Sequence, residues 1–396
     1  MLRSEAVVDL AAIRANVETL RAGTSADVMA VVKADGYGHG LLQSARAALA
    51  GGASWLGVAV LDEALALRAA GITARTLAWL WTPQDVSMLS SAIAADVDIS
   101  VSSAKALELV VAAAADLGTA ARVHLKIDTG LSRNGVQVED WADVVTATAK
   151  AAASGVIEAV GIWSHLVYAD SPGHPTTDAQ LERFIAAVAA AERLGVKPEV
   201  RHLSNSAATV SKPAAHFDLV RPGVAVYGLS PVPERGDFGL IPAMSLVSHL
   251  ANVKRVPAGS GISYGHQYVT DRETTVALVP LGYADGVPRN ATNVGPVAIG
   301  SNRYTISGRV CMDQFVVDVG DAVLAEGDEV VLFGPGRAGE PTAQDWATVL
   351  DTIHYEIVTR IGGRVPRRYL ADPAAGDAAA GDAAAVGDTA LNGTQP

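Results

Sequence analysis

Residues 28–40 read VMAVVKADGYGHG. Five apolar residues, Val28 to Val32, run without polar alternation into Lys33, and a glycine-rich turn follows. An unbroken apolar run of this length is a strand covered on both faces, which is how strands of parallel sheets read. Seven further runs of the same kind recur along the first 230 residues: WLGVAV (55–60), TLAWLW (76–81), VDISV (97–101), RVHLKI (122–127), EAVGIWSHL (158–166), VRHLS (200–204) and LVRPGVAVYG (219–228). Helical periodicity fills the gaps. Ile13, Val17 and Leu20 recur at i, i+4 and i+7 behind Asp9, a suitable N-cap, and Leu181, Phe184, Ile185 and Val188 repeat the pattern. Parallel strands need crossover helices, so eight such units predict a (β/α)8 barrel over residues 1–235. An open doubly wound sheet is the alternative, and the absence of G-x-G-x-x-G after the first strand weighs against it.

The rhythm changes near residue 235. SLVSHLANVKRV (245–256), TTVALVPLGY (274–283), TISGRV (305–310), QFVVDVG (314–320) and DEVVLFG (328–334) are short strands between Gly and Pro turns. With a helical stretch over 343–357, they predict a mostly β domain spanning 236–371. Residues 372–396 repeat GDAAA without large apolar side chains, the composition of a disordered tail.

Composition narrows the function classes. The 396-residue chain carries net charge −12, which disfavours a broad nucleic-acid surface but not a local cationic pocket. Its single cysteine, Cys311, rules out an intrachain disulfide and a cysteine-rich metal site. The N-terminal segment carries Glu5 and Asp9 where a signal peptide would be apolar, and no long charge-free apolar window suggests a membrane span. A cytoplasmic protein is expected.

In (β/α)8 barrels the chemistry lies at the C-terminal ends of the strands. Lys33 and Tyr37 follow the first strand, Arg133 the fifth, His165 the sixth, Asn205 and Ser206 the seventh, and Arg221 and Gly223 belong to the eighth. So many cations at one mouth of an acidic chain predict an anionic ligand. Each residue also has a plainer use: His165 as a core histidine, Asn205 and Ser206 as a helix cap, the glycines as turns. Lys33 stands apart because it leaves a buried strand, where desolvation lowers the amine pKa and makes it nucleophilic. Ser206 at a helix start and Gly223, which admits close backbone approach, suit a phosphate group.

Assembled, these segments resemble the alanine racemase family over roughly residues 5–370. The matching motifs are AVVKADGYGHG (30–40), KIDTGLSRNG (126–135), HLSNSAA (202–208), RPGVAVYG (221–228), GISYGH (261–266), GYADGVPR (282–289), CMDQ (311–314) and HYEIVTRIGGRVPR (354–367). The resemblance implies that Lys33 carries pyridoxal 5′-phosphate. It implies phosphate contacts from Tyr37, Ser206, Gly223, Val224 and Tyr355 beside Asn205, with Arg221 on the pyridine nitrogen, His202 behind Arg221 and His165 beside the ring. Arg133 would reach the substrate carboxylate, and Lys126 could carry a carbamate. Tyr264, Tyr283, Met312 and Asp313 would come from the β-domain of a second subunit, giving a homodimer with shared sites. Lys33 and Tyr264 would be the two bases that racemise alanine, supplying D-alanine for peptidoglycan. A broader amino-acid racemase or a barrel-fold pyridoxal-phosphate decarboxylase is the alternative; a decarboxylase should present an acid where Arg221 stands. Two departures from the family pattern flank functional residues: Asp35-Gly36 in place of the frequent Asn-Ala, and Ser132 before the arginine.

Overall fold

The computed structural model describes residues 2–371, so the run expected to form a tail lies outside the described residues. Eight parallel strands form the first body: β2 (Asp27–Val31), β3 (Trp55–Val58), β4 (Arg75–Ala78), β5 (Asp98–Val101), β6 (Ala121–Lys126), β7 (Ile157–Trp163), β8 (Val200–His202) and β9 (Leu219–Val220). Each coincides, to within one residue at its start, with one of the eight apolar runs. The strand order is β8-β7-β6-β5-β4-β3-β2-β9. At the seam, Asp218 N donates to Arg201 O (3.1 Å) and Arg221 N to Ser204 O (2.9 Å), which nearly closes the barrel.

The helices between these strands pack through small and branched residues. In the helix Leu10–Ala22, Asp9 accepts from Ala12 N (3.1 Å), and Ile13, Val17 and Leu20 are buried as the spacing requires. In Pro175–Arg193, Phe184 and Val188 reach the core but Ile185 is exposed. The buried face of this helix is Thr177, Gln180, Phe184, Ala187, Val188 and Ala191, and Ile185 lies beyond its edge on the solvent side.

The second body holds a six-stranded sheet ordered β16-β15-β18-β10-β1-β19, a three-stranded sheet β11-β14-β17 and the hairpin β12-β13. Its strands are β10 (Met244–His249), β11 (Asn252–Val256), β12 (Gly261–Ile262), β13 (Tyr268–Val269), β14 (Thr274–Val279), β15 (Pro296–Ile299), β16 (Asn302–Thr305), β17 (Phe315–Gly320), β18 (Glu329–Phe333) and β19 (Arg367–Leu370). The surprise is β1 (Ser4–Asp9). It does not belong to the barrel that it precedes in sequence: it pairs antiparallel with β10 and parallel with β19, threading the start of the chain through the last sheet. Of the expected strand at 305–310, Thr305 ends β16 and Ile306 makes a single bridge to Val317, and Gly308, with φ of 81°, turns the chain beyond them. The helical stretch over 343–357 is two helices, Ala343–Val349 and His354–Thr359. Among the described residues no helix is long and apolar enough to cross a membrane.

Candidate active site

Lys33 begins where β2 ends, and the four residues after it, Ala34, Asp35, Gly36 and Tyr37, all hold φ between 53° and 60°. Consecutive L-residues in the left-handed region cost roughly 1–2 kcal/mol each, so the turn must be held from outside. Glu63 Oε1 accepts from Ala34 N (2.6 Å), and its other oxygen accepts from Ala59 N and Val60 N. Asp35 Oδ1 accepts from Leu41 N (2.8 Å), and Gly36 N and Gly38 N donate to Val32 O and Ala34 O. A Cβ on Gly36 would stand 2.6 Å from Ser44 Oγ, so an alanine here requires Ser44 to shift. The turn sets Lys33 at the mouth and sends Tyr37 back into the protein, where burial pushes its phenol well above the usual range. Glu63 and this reversal of handedness carry no periodic signal that sequence reading could have used.

Burial lowers the Lys33 ammonium, Arg133 lowers it further, and Glu63 partly opposes both. The amine is therefore closer to its free, nucleophilic form than a surface lysine. Arg133 is exposed, yet its charge also depresses Lys126 and His165. Lys126 is buried at the end of β6, pushed down to about 8 by burial and by Arg221, with its Nζ 4.3 Å from the Trp163 ring centre. His165 is driven well below the normal histidine range by burial and by Arg221, Arg133, Lys126 and Lys33 in turn, so it is neutral.

Arg221 lies inside this ring of cations. Its Nη2 donates to Ser164 O (2.7 Å) and Leu203 O (3.2 Å) and reaches His165 Nδ1 at 3.5 Å; its Nη1 donates to His202 Nδ1 (3.1 Å). Burial pulls the guanidinium down to about 9, which leaves it charged at neutral pH. Trp163 lies under it, 4.8 Å from Cζ, and stacks on His202 at 5.6 Å with an interplanar angle of 2°. No feature of the sequence singled out Trp163, because an indole in a buried strand reads as core.

Ser206, Gly223 and Tyr37 meet as expected. Gly223 N and Ala225 N donate to Ser206 Oγ at 2.8 and 3.4 Å, so the hydroxyl proton points elsewhere. A Cβ on Gly223 would stand 2.2 Å from the Tyr37 hydroxyl. Tyr37 and Tyr355 rings are 6.3 Å apart, and burial together with Asp170 raises Tyr355 to about 12. Val224 opens the short 3-10 turn beyond Gly223. Hydroxyl, phenol and backbone N–H donors without a carboxylate make a cradle suited to a phosphate group. Asn205 has the plainer role: its side chain caps Ser206–Ser211 by accepting from Ala208 N (3.0 Å). These residues fit pyridoxal phosphate in the chemistry of their donors.

Tyr264, Tyr283, Met312 and Asp313 gather on the β-domain instead. Tyr283 N and Ala284 N donate to Cys311 O and Met312 O, Ser263 Oγ donates to Arg309 O, and Arg364 pairs with Asp313 (2.8 Å). Tyr264 is 71% exposed, Met312 53% and Tyr283 42%. Among the described residues none of these four side chains hydrogen-bonds to the barrel. The candidate residues thus form two separate groups, a cationic mouth and an exposed face with two tyrosines and a methionine.

Two family models match in succession: alanine racemase, N-terminal domain, over residues 8–231, and alanine racemase, C-terminal domain, over 243–369. The alanine racemase of Frankia casuarinae is 60% identical over 374 residues, covering 93% of this chain and 97% of its own length. That of Salinispora arenicola is 59% identical over 370 residues, covering 93% and 99%. The crystal structure of alanine racemase from D-cycloserine-producing Streptomyces lavendulae aligns with a TM-score of 0.92 at 54% identity, over 94% of this chain and 98% of that one.

Proposed function

We propose that this chain, which belongs to the alanine racemase family, interconverts L- and D-alanine with pyridoxal 5′-phosphate held on Lys33, and that the D-alanine serves peptidoglycan synthesis. The observation that carries the reading is the convergence of a pKa-depressed lysine, a buried Arg221 and the donor cradle of Ser206, Gly223 and Tyr37 at one barrel mouth. When bound, the cofactor supplies an electron sink that acidifies the Cα proton of an attached amino acid.

The remaining work falls to the chain's own residues. Lys33 takes or returns the Cα proton on one face, and the partner subunit's Tyr264 serves the other; opposite faces are what inversion requires. Arg133, charged and exposed at the mouth, binds the substrate carboxylate. Arg221 would donate to the cofactor's pyridine nitrogen and, because a guanidinium has no proton to give up at neutral pH, would leave that nitrogen unprotonated. His165, neutral, accepts from Arg221 at Nδ1, which leaves its Nε2–H free to face a tyrosine oxygen. Tyr355 with the partner's Met312 and the partner's Tyr283 limits the side-chain space, favouring alanine over lysine or arginine. Burying the aromatic face over the mouth excludes water and completes the site in a homodimer.

Borohydride reduction of the holoenzyme followed by peptide mapping tests the central assignment. The pyridoxyl group is expected on Lys33; recovery on any other lysine overturns it.

A further inference from the structure

The Arg221–His202 pair continues inward. His202 Nε2 lies 2.9 Å from His124 Nδ1, and His124 Nε2 lies 3.1 Å from Asp98 Oδ2. Asp98 also accepts from Arg122 Nε (2.5 Å) and Arg75 Nη2 (3.2 Å). Arg221, His202, His124 and Asp98 are all buried. Arg221 follows β9 at the mouth, His202 ends β8, His124 lies midway along β6, and Asp98 opens β5 at the opposite rim. A column of side-chain hydrogen bonds therefore runs through the barrel interior.

The fold makes room for it. Interior layers of such barrels are ordinarily branched aliphatic side chains, and two imidazoles there are an exception. The β6–β7 register shifts between Val123 and His124, and such an irregularity re-aims a side chain. Opposite stands Gly161, where a Cβ would lie 2.2 Å from His124 Nδ1. Trp163 stacks on His202, and Trp55 meets His124 edge-on at 5.6 Å.

Donor chemistry leaves the column one proton arrangement. A guanidinium only donates, so His202 Nδ1 must accept and the His202 proton is on Nε2. His124 Nδ1 then accepts, and its proton is on Nε2, donated to Asp98. A second proton on either ring would set two N–H groups against each other, so both imidazoles are neutral. Burial, then Arg221 and His124, pushes His202 well below the histidine range, in agreement. For Asp98, burial works to raise the carboxyl, and the His124 hydrogen bond with Arg122 and Arg75 outweighs it, so the group is ionised.

We propose that Asp98 and His124 are positioning residues for Arg221: through two imidazoles of fixed tautomer, a carboxylate at the far rim orients the guanidinium at the mouth. This rests on the reading that Arg221 faces the cofactor's pyridine nitrogen. Among the described residues no carboxylate bonds Arg221 directly, and Asp98 is the anion to which its hydrogen-bond network leads. Polar chains of this kind polarise along their length, which carries a change at Asp98 to the mouth.

Two measurements decide it. Side-chain ¹⁵N NMR of the native holoenzyme at neutral pH should find His124 and His202 both neutral and both Nε2–H; a cationic ring or the other tautomer at either overturns the column. The variant Asp98→Asn keeps the shape and removes the charge, and Gly161→Ala unseats His124 while keeping every charge. Both should retain pyridoxyl on Lys33 and lower the ratio of racemisation to transamination about tenfold, with KM for alanine little changed. An unchanged ratio in a folded variant overturns the positioning role. Should Asp98→Asn fail to fold, Gly161→Ala and the NMR of the native protein still decide. Absence of cofactor from Lys33 in the native protein would sink the functional reading instead, and the tautomer measurement would stand apart from it.

Discussion

A methyl group on Gly223 would stand 2.2 Å from the Tyr37 hydroxyl, and Tyr37 is buried with little room to retreat. Gly223→Ala should therefore open the phosphate cradle and weaken pyridoxal phosphate binding at least about tenfold, or about 1.4 kcal/mol. Titration of cofactor absorbance into the apoprotein reads this directly, and unchanged affinity would remove Gly223 from the cradle. Lys126 offers a test with a defined sign. Its folded pKa of about 8 is below the unfolded value, so the native state binds fewer protons between pH 8 and about 10.4. Stability from this group is lowest below pH 8 and is regained as pH rises through that window. In CO2-free buffer the melting temperature should follow that trend. At pH 8 bicarbonate should raise it, because CO2 adds to the free amine, releasing one proton and leaving a carbamate anion among Arg221 and Arg133. No response to bicarbonate, and no added mass of one CO2 on the Lys126 peptide, would count against the carbamate. Glu63 raises the Lys33 pKa, so Glu63→Gln should lower it and shift the acid limb of the kcat profile, which reports the amine freed by substrate, to lower pH.

At the scale of elements, the left-handed turn from Ala34 to Tyr37 is the costliest piece of backbone in the site. Ala34→Gly removes a Cβ penalty of roughly 1–2 kcal/mol and adds unfolded-state entropy of roughly 0.5–1 kcal/mol, so it should stabilise the fold by about 0.5–1 kcal/mol. Chemical denaturation measures this; destabilisation would mean that Ala34 is not strained. The turn also marks the limit of sequence reading. All eight barrel strands were legible, because a strand covered on both faces leaves an uninterrupted apolar run. The residues that gather at their ends were legible for the same reason. The handedness after Lys33 was not, since Ala34 and Tyr37 have no left-handed preference and Glu63 acts from another βα unit. His124 and Asp98 escaped because within apolar runs they read as isolated polar residues, and only the register shift opposite Gly161 brings them into line. The address of β1 was hidden because its partners lie hundreds of residues away.

At the scale of the whole molecule, the exposed face of Tyr264, Tyr283 and Met312 should close a neighbouring chain's mouth. Mixing Lys33→Ala chains with Tyr264→Phe chains, each nearly inactive, tests this. In a heterodimer with shared sites, one site holds both lesions and the other none, so activity should return to at most about half per mixed dimer. If every site is built within one chain, each keeps a lesion and mixing restores nothing; no recovery with subunit exchange demonstrated would refute sharing.

The placement of β1 between β10 and β19 has a consequence for biosynthesis. Both neighbours are made long after it: β10 ends about 240 residues later and β19 near the end of the described chain. At about 5–20 residues per second the ribosome leaves Ser4–Asp9 with two bare hydrogen-bonding edges for roughly 10–50 s, while the barrel behind it can already fold. A nascent chain in that state offers a sticky strand to any other nascent chain. A fragment ending at residue 240 should therefore aggregate more than one spanning residues 10–240, as static light scattering would register; equal solubility would mean that the waiting strand is sheltered. Ser4–Asp9 thus leave the ribosome long before their neighbours, and the six-stranded sheet cannot be finished until Arg367–Leu370 has been made.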